Sequence, residues 1–152
     1  MKRDFPDRPL VGVGVVVLKD DSVLMIRRGT PPRVGQWSIP GGGQELGETV
    51  AEAAVREVLE ETGVSITVKG LIDVVDLIRP SEDPDRTGIE FHYTLIDLAA
   101  VWQDGEPFAG DDVTEARWVA IDDLADYTLW SETERIIRLA GAVVSRESAL
   151  SE

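Results

Sequence analysis

The chain contains no cysteine, which excludes disulfides and thiol chemistry. It has one histidine, and no Ser-His-Asp arrangement is visible. His92 lies in the strand-like run "EFHYTL" and reads as a structural or pocket-lining side chain. Positive charge is scarce: 15 Lys and Arg stand against 29 Asp and Glu, a net charge of −14. That argues against nucleic-acid binding, which needs clustered cations to displace counterions. It leaves a small phosphorylated substrate open, because divalent cations can supply the missing charge. Long apolar runs are also absent. The longest, "LVGVGVVVL" from Leu10, is β-branched and far short of the ~20 residues of a membrane span. It reads as a strand rather than a signal peptide, so the sequence offers no membrane contact and points to the cytoplasm.

The 152 residues are 43% apolar and 29% charged, enough for one core. One domain is expected over 1–152, ordered over about 9–145, with frayed ends at 1–8 and 146–152. "VGVGVVVLKDDSVLMIRRG" reads as a hairpin turning at Lys19-Asp20-Asp21. Residues 30–36 read as loop, "WSIP" as a short strand stopped by Pro40, and "GGGQELGE" as loop. A helix is expected from Thr49 to Thr62 with Gly63 as its C-cap. One or two strands follow in "SITVKGLIDVVDLI", then a polar connection over 79–88 and a long strand in "IEFHYTLIDLAAVW". "DGEPFAGDD" reads as loop, "ARWVAI" as strand and "DDLADY" as a short helix. A second helix is expected from Ser131 to about Ser145, with an apolar stripe of Ile136, Ile137, Ala140, Val143 and Val144. The pattern is α+β: a mixed sheet covered by helices.

The first helix ends in the wrong charges. Glu57, Glu60 and Glu61 occupy the turn where the macrodipole opposes acids. With about 100° per residue and Glu57 at zero, Glu61 falls near 40° and Glu60 near −60°, so all three share one side. Ala51, Val55, Val58 and Leu59 form an apolar stripe between about 100° and 200°, the face expected in the core. Glu52, Arg56 and Glu60 form an i,i+4 ladder. A solvated charged face explains such runs in general. Here the acids cluster instead of alternating with Lys, and a hard divalent cation such as Mg²⁺ or Mn²⁺ would reverse their repulsion. Without one, this turn is expected to be the least settled part of the helix.

From Gly42 to Val64 the sequence reads Gly, five residues, Glu48, seven residues, then Arg56-Glu57-Val58-Leu59-Glu60-Glu61-Thr62-Gly63-Val64. This resembles the Nudix box at all nine defined positions over 23 residues. The flanks "VLMIRRG", "WSIPGGG", "DGEPFAGDD" and "EARWVAID" extend the likeness over roughly Val11 to Ala125. The resemblance implies an α/β/α sandwich and metal-dependent hydrolysis of a nucleoside diphosphate linked to another group, with Mg²⁺ or Mn²⁺, more than one ion, as cofactor. It implies Glu57 and Glu61 as direct metal ligands and Glu60 as the residue that shares a metal or helps deprotonate water. Arg56 would orient Glu60, Gly41 and Gly42 would offer a backbone carbonyl, and Glu48 would support the site or bind metal through water. Asp111, Asp112 or Glu90 would supply a further acid. Arg28, ahead of Arg27, would contact phosphate or ribose, and Trp37 would stack a base or pack in the core.

Pro80, sixteen residues after Val64, resembles a spacing of the ADP-ribose-hydrolysing members. ADP-ribose or a similar nucleotide sugar is therefore the expected substrate. A nucleoside triphosphate, oxidised or not, is the alternative, and a nucleotide sensor without turnover is another. A homodimer is compatible with the resemblance.

Overall fold

The computed structural model describes residues 2–31 and 33–151, with side chains described up to residue 147. Pro32, in the loop expected over 30–36, lies outside the described residues. The strands are β1 (Leu10–Lys19), β2 (Ser22–Arg28), β3 (Trp37–Ser38), β4 (Gly41–Gly43), β5 (Ser65–Pro80), β6 (Ile89–Asp104) and β7 (Val113–Ala120). Helix α1 spans Val50–Thr62, and α2 spans Ser131–Ser151. A 3₁₀ turn, Ile121–Asp126, follows β7 where the short helix is expected.

The sheet runs β3-β2-β1-β6-β5, with β4 paired to β1 and β7 to β2. It is mixed because β1 and β6 run parallel while the other pairs are antiparallel. Both faces of β1 are buried over Gly12–Val17, which is why it reads as a continuous apolar run. Val13, Val15 and Val17 pack with Ala53, Ala54 and Val58 of α1. Val16 and Met25 pack on the other side with Ile136, Ile137 and Ala140 of α2. The result is the α/β/α sandwich.

Four expectations need correction. The glycine run is not loop throughout. Gly41–Gly43 forms β4 against Gly12–Gly14 of β1, and a Cβ on Gly41 would collide with the Val13 carbonyl. Bare backbone lets the two segments approach. The second helix does not stop near Ser145. Helix α2 continues to Ser151, with Lys69 paired to Glu147 at 3.4 Å. Near the N-terminus, the Phe5 N–H donates to the Glu90 carbonyl at 2.7 Å.

The third correction concerns the core face of α1. Of the expected stripe only Val58 is buried; Ala51, Val55 and Leu59 are exposed. The buried set is Ala53, Ala54, Val58, Glu61 and Thr62, a face centred about 65° from Glu57 and so within about 30° of Glu61 itself. Two alanines let the helix lie close to the sheet, which turns the acids inward. Last, the Glu52–Arg56–Glu60 ladder forms only in its second half. Glu52 completes a capping box with Thr49, while Arg56 reaches Glu60 at 3.3 Å.

Candidate active site

Helix α1 brings its acids to β4. Its start is fixed by the Thr49 capping box, and its end by Gly63 at φ 73°, whose N–H donates to the Leu59 carbonyl. Two further terminal carbonyls are met by the loop after β6. The Phe108 N–H donates to Thr62 at 3.0 Å and the Gly110 N–H to Glu61 at 2.8 Å. These amides offset the negative end of the helix, so the turn is pinned by protein contacts.

Glu61 is 8% exposed. It accepts the Gly41 N–H at 2.8 Å. Burial pushes its carboxyl up to about 8. The Gly41 amide and Arg28 oppose that rise, while Glu57 and Asp111 add to it. Glu57 is raised as well, first by burial and then by Glu60 and Asp111, against the pull of Arg56. Its carboxylate fills the space where a Gly42 side chain would be, which is the physical need for glycine there.

Arg56 is the hub. It donates from Nε to Glu48 at 2.7 Å and from Nη2 to Glu48 at 2.9 Å, a bidentate pair. Nη1 reaches Glu57 at 2.8 Å and Glu60 at 3.3 Å, and Nη2 also donates to the Gly43 carbonyl at 2.9 Å. Arg56 thus holds Glu48 and Glu57 more tightly than Glu60, the partner expected for it. Its hydrogen bonds hold the Glu48 carboxyl down at about 2. Among the described residues no three acid or imidazole side chains surround a single ion-sized point. Glu57 is turned to Arg56 and Glu61 to the Gly41 amide.

Of these groups Gly41–Gly43, Glu48, Glu57 and Glu61 line a cleft of about 770 Å³, while Arg56 and Glu60 lie outside its lining. Arg28 lines it and feels both Glu61 and Asp112. Arg27 points elsewhere: it donates to the Gly35 carbonyl at 3.0 Å and pairs with Glu115 at 3.6 Å. Strand alternation thus separates the two arginines. Asp111, at φ 44°, and Asp112 line the cleft; Glu90 does not. Trp37 lines it too, with Tyr127 edge-on at 5.2 Å and Arg117 over its ring at 4.6 Å. His92 lies outside the lining, on β6 opposite Ile78. Sequence reading missed Arg3, Arg33, Tyr93, Asp97 and Trp130, all in the lining. Asp97 had a signal, as the one acid within the apolar run "LIDLAAV".

The NUDIX domain family matches residues 8–140. An ADP-ribose pyrophosphatase of Methanocaldococcus jannaschii is 37% identical over 130 residues, 86% of this chain and 72% of that protein. Nucleoside triphosphatase NudI of Escherichia coli K12 is 32% identical over 109 residues, 70% of this chain and 77% of that protein. A MutT NUDIX hydrolase from Burkholderia pseudomallei superposes with a TM-score of 0.71 at 28% identity, over 88% of this chain and 98% of that one. No helix among the described residues is long and apolar enough to cross a membrane. The box, the sandwich and these relatives agree, and the chain belongs to the Nudix hydrolase family of enzymes.

Proposed function

We propose that this enzyme cleaves the pyrophosphate linkage of a nucleoside diphosphate joined to another group, with ADP-ribose as substrate, using Mg²⁺ or Mn²⁺ and water. The observation that carries the reading is the convergence of Glu57 and buried Glu61 beside the bare Gly41–Gly42 backbone, at the edge of a cleft that also holds Arg28. The donor set fits hard divalent cations. It is all oxygen, and Glu57 and Glu61 are raised first by burial, with Asp111 adding to both.

In this reading Glu57 and Glu61 hold the cations, with a Gly41 or Gly42 carbonyl and Glu48 in support and Asp111 or Asp112 as the completing acid. Asp111 is the better candidate because it acts on both glutamates. Bound cations shield the phosphate oxygens, polarise phosphorus and acidify a bound water. Arg56 keeps Glu57 and Glu60 in place. Glu60, the most exposed of the three, accepts the proton of the attacking water. The water oxygen bonds to one phosphorus as the bridging oxygen leaves with the other phosphate. Arg28 meets the anionic oxygens of the substrate.

ADP-ribose is favoured by the relative that shares 37% identity over most of the chain. A nucleoside triphosphate is the second reading, favoured by the likeness to NudI. Purified protein with Mg²⁺ or Mn²⁺ is expected to release AMP and ribose 5-phosphate from ADP-ribose, and a chelator should abolish this. Glu61→Gln should lower kcat about 100-fold or more with the circular dichroism spectrum unchanged. Full activity in that variant would sink the role assignment. Triphosphate turnover with ADP-ribose untouched would replace the substrate.

A further inference from the structure

The residue that the proposed reaction does not use is Asp97. It is 5% exposed, lies in the middle of β6 and lines the cleft. Its neighbours in sequence, Ile96 and Leu98, pack on the α1 side, so period-2 alternation points Asp97 to the α2 side. Tyr93 and Leu95 share that side and line the same cleft. They form a row that runs from aromatic through aliphatic to acid.

Among the described residues no hydrogen bond or ion pair reaches this carboxyl; burial alone dominates its environment. The cation that acts on it, Arg135, is already forked between Asp73, at 3.0 Å, and Glu132. Asp73 and Glu132 are themselves acids and only add repulsion. A buried polar group without a partner costs free energy unless something else satisfies it. Here space is kept for the carboxyl. It extends over Gly14, where a side chain would collide with Oδ1, and Ile39 closes the same spot.

The ladder gives the distance to the reaction centre. Asp97 pairs with Gly14, and Gly14 with Gly41, whose N–H holds Glu61. Two strand spacings put Asp97 about 10 Å from Gly41 along the sheet. That separation lets the phosphates lie at Gly41 while the base lies at Asp97. A flat base would have Leu95 and Ile39 for apolar contact and a single polar group at its edge, the usual composition of a selective pocket.

We propose that Asp97 reads the nucleobase, its carboxylate accepting a hydrogen bond from the exocyclic amino group of a base such as adenine. The inference rests on the nucleotide-hydrolase reading but not on ADP-ribose as the particular substrate. A ribose hydroxyl is the competing partner, and it is less suited to the apolar flanks.

The test compares adenine with unsubstituted purine, which lacks the amino group and gains no N–H in its place. The metal-loaded enzyme should show kcat/KM for ADP-ribose above that for its purine analogue by about 10-fold or more. Asp97→Leu should bring the ratio to about one, mainly through KM, whereas Asp97→Asn, whose amide oxygen still accepts, should retain a preference. Asp97→Ala replaces the leucine variant if that one does not fold. If only triphosphates are turned over, ATP against purine riboside triphosphate gives the same ratio. If nothing is turned over, calorimetric binding of AMP against purine riboside monophosphate does. A wild-type ratio near one, an unchanged ratio in Asp97→Leu, or an equal loss for both bases would each overturn the assignment.

Discussion

At the scale of single residues, the site depends on where side chains are missing. Gly42 leaves the space that the Glu57 carboxylate fills, and Gly43, one residue on, faces open space. Gly42→Ala should therefore displace Glu57 and lower kcat about 10- to 100-fold, since misplacing a catalytic group by an ångström has that effect. Gly43→Ala should stay within about two-fold of wild type, as an exposed change that touches nothing. Steady-state kinetics on the pair, with folding checked by circular dichroism, separates position from composition. Equal activities would remove the close approach from the account. The same reasoning reassigns Arg56. Its tightest partners are Glu48 and Glu57, so it braces the box from its first glutamate to its second.

At the scale of elements, α1 is a helix whose termini are both closed. The capping box closes the start. At the end, Gly63 in the left-handed region and the amides of Phe108 and Gly110 satisfy the last carbonyls. Gly63→Ala would force a Cβ into that conformation and into the Phe108 ring. A loss of about 1–3 kcal/mol is expected, read as a lowered urea midpoint with an unchanged slope. The loop after β6 would loosen with it, because Phe108 and Gly110 hang on the same turn. A midpoint within error of wild type would show that the cap is dispensable.

At the scale of the whole molecule, buried acids set how stability varies with pH. Glu61 is pushed up to about 8 and Asp97 to about 6, both by burial. A carboxyl raised in the folded state favours folding fully below its unfolded value near 4, and that contribution fades as pH rises through the folded value. Glu48 works the opposite way: held at about 2, its contribution is present above about 4.5 and vanishes only as pH falls through 2. Between pH 5 and 9 the raised groups decide the sign. Metal-free protein should melt at progressively lower temperature from pH 5 to 9, with on the order of 2–4 kcal/mol at stake. Glu61→Gln should flatten most of that slope, and Mg²⁺ should restore stability at the alkaline end. Differential scanning fluorimetry across this range, with and without Mg²⁺, reads all three. A flat profile in the wild type would contradict the burial of Glu61.

What the sequence determined by itself is local. The order of strands and helices, the hairpin at Asp20, the Gly63 stop and the clustering of Glu57, Glu60 and Glu61 follow from periodicity, caps and spacing within a few residues. The tertiary structure decided what depends on distant partners. It made the glycine run into β4, because a strand exists only against its neighbour. It turned α1 onto Ala53 and Ala54 instead of Val55 and Leu59, because closeness to the sheet outweighed side-chain size. It also left Asp97 inside the cleft with no hydrogen bond or ion pair among the described residues. Burial is a property of the packed layers, so no reading of neighbours along the chain could assign it.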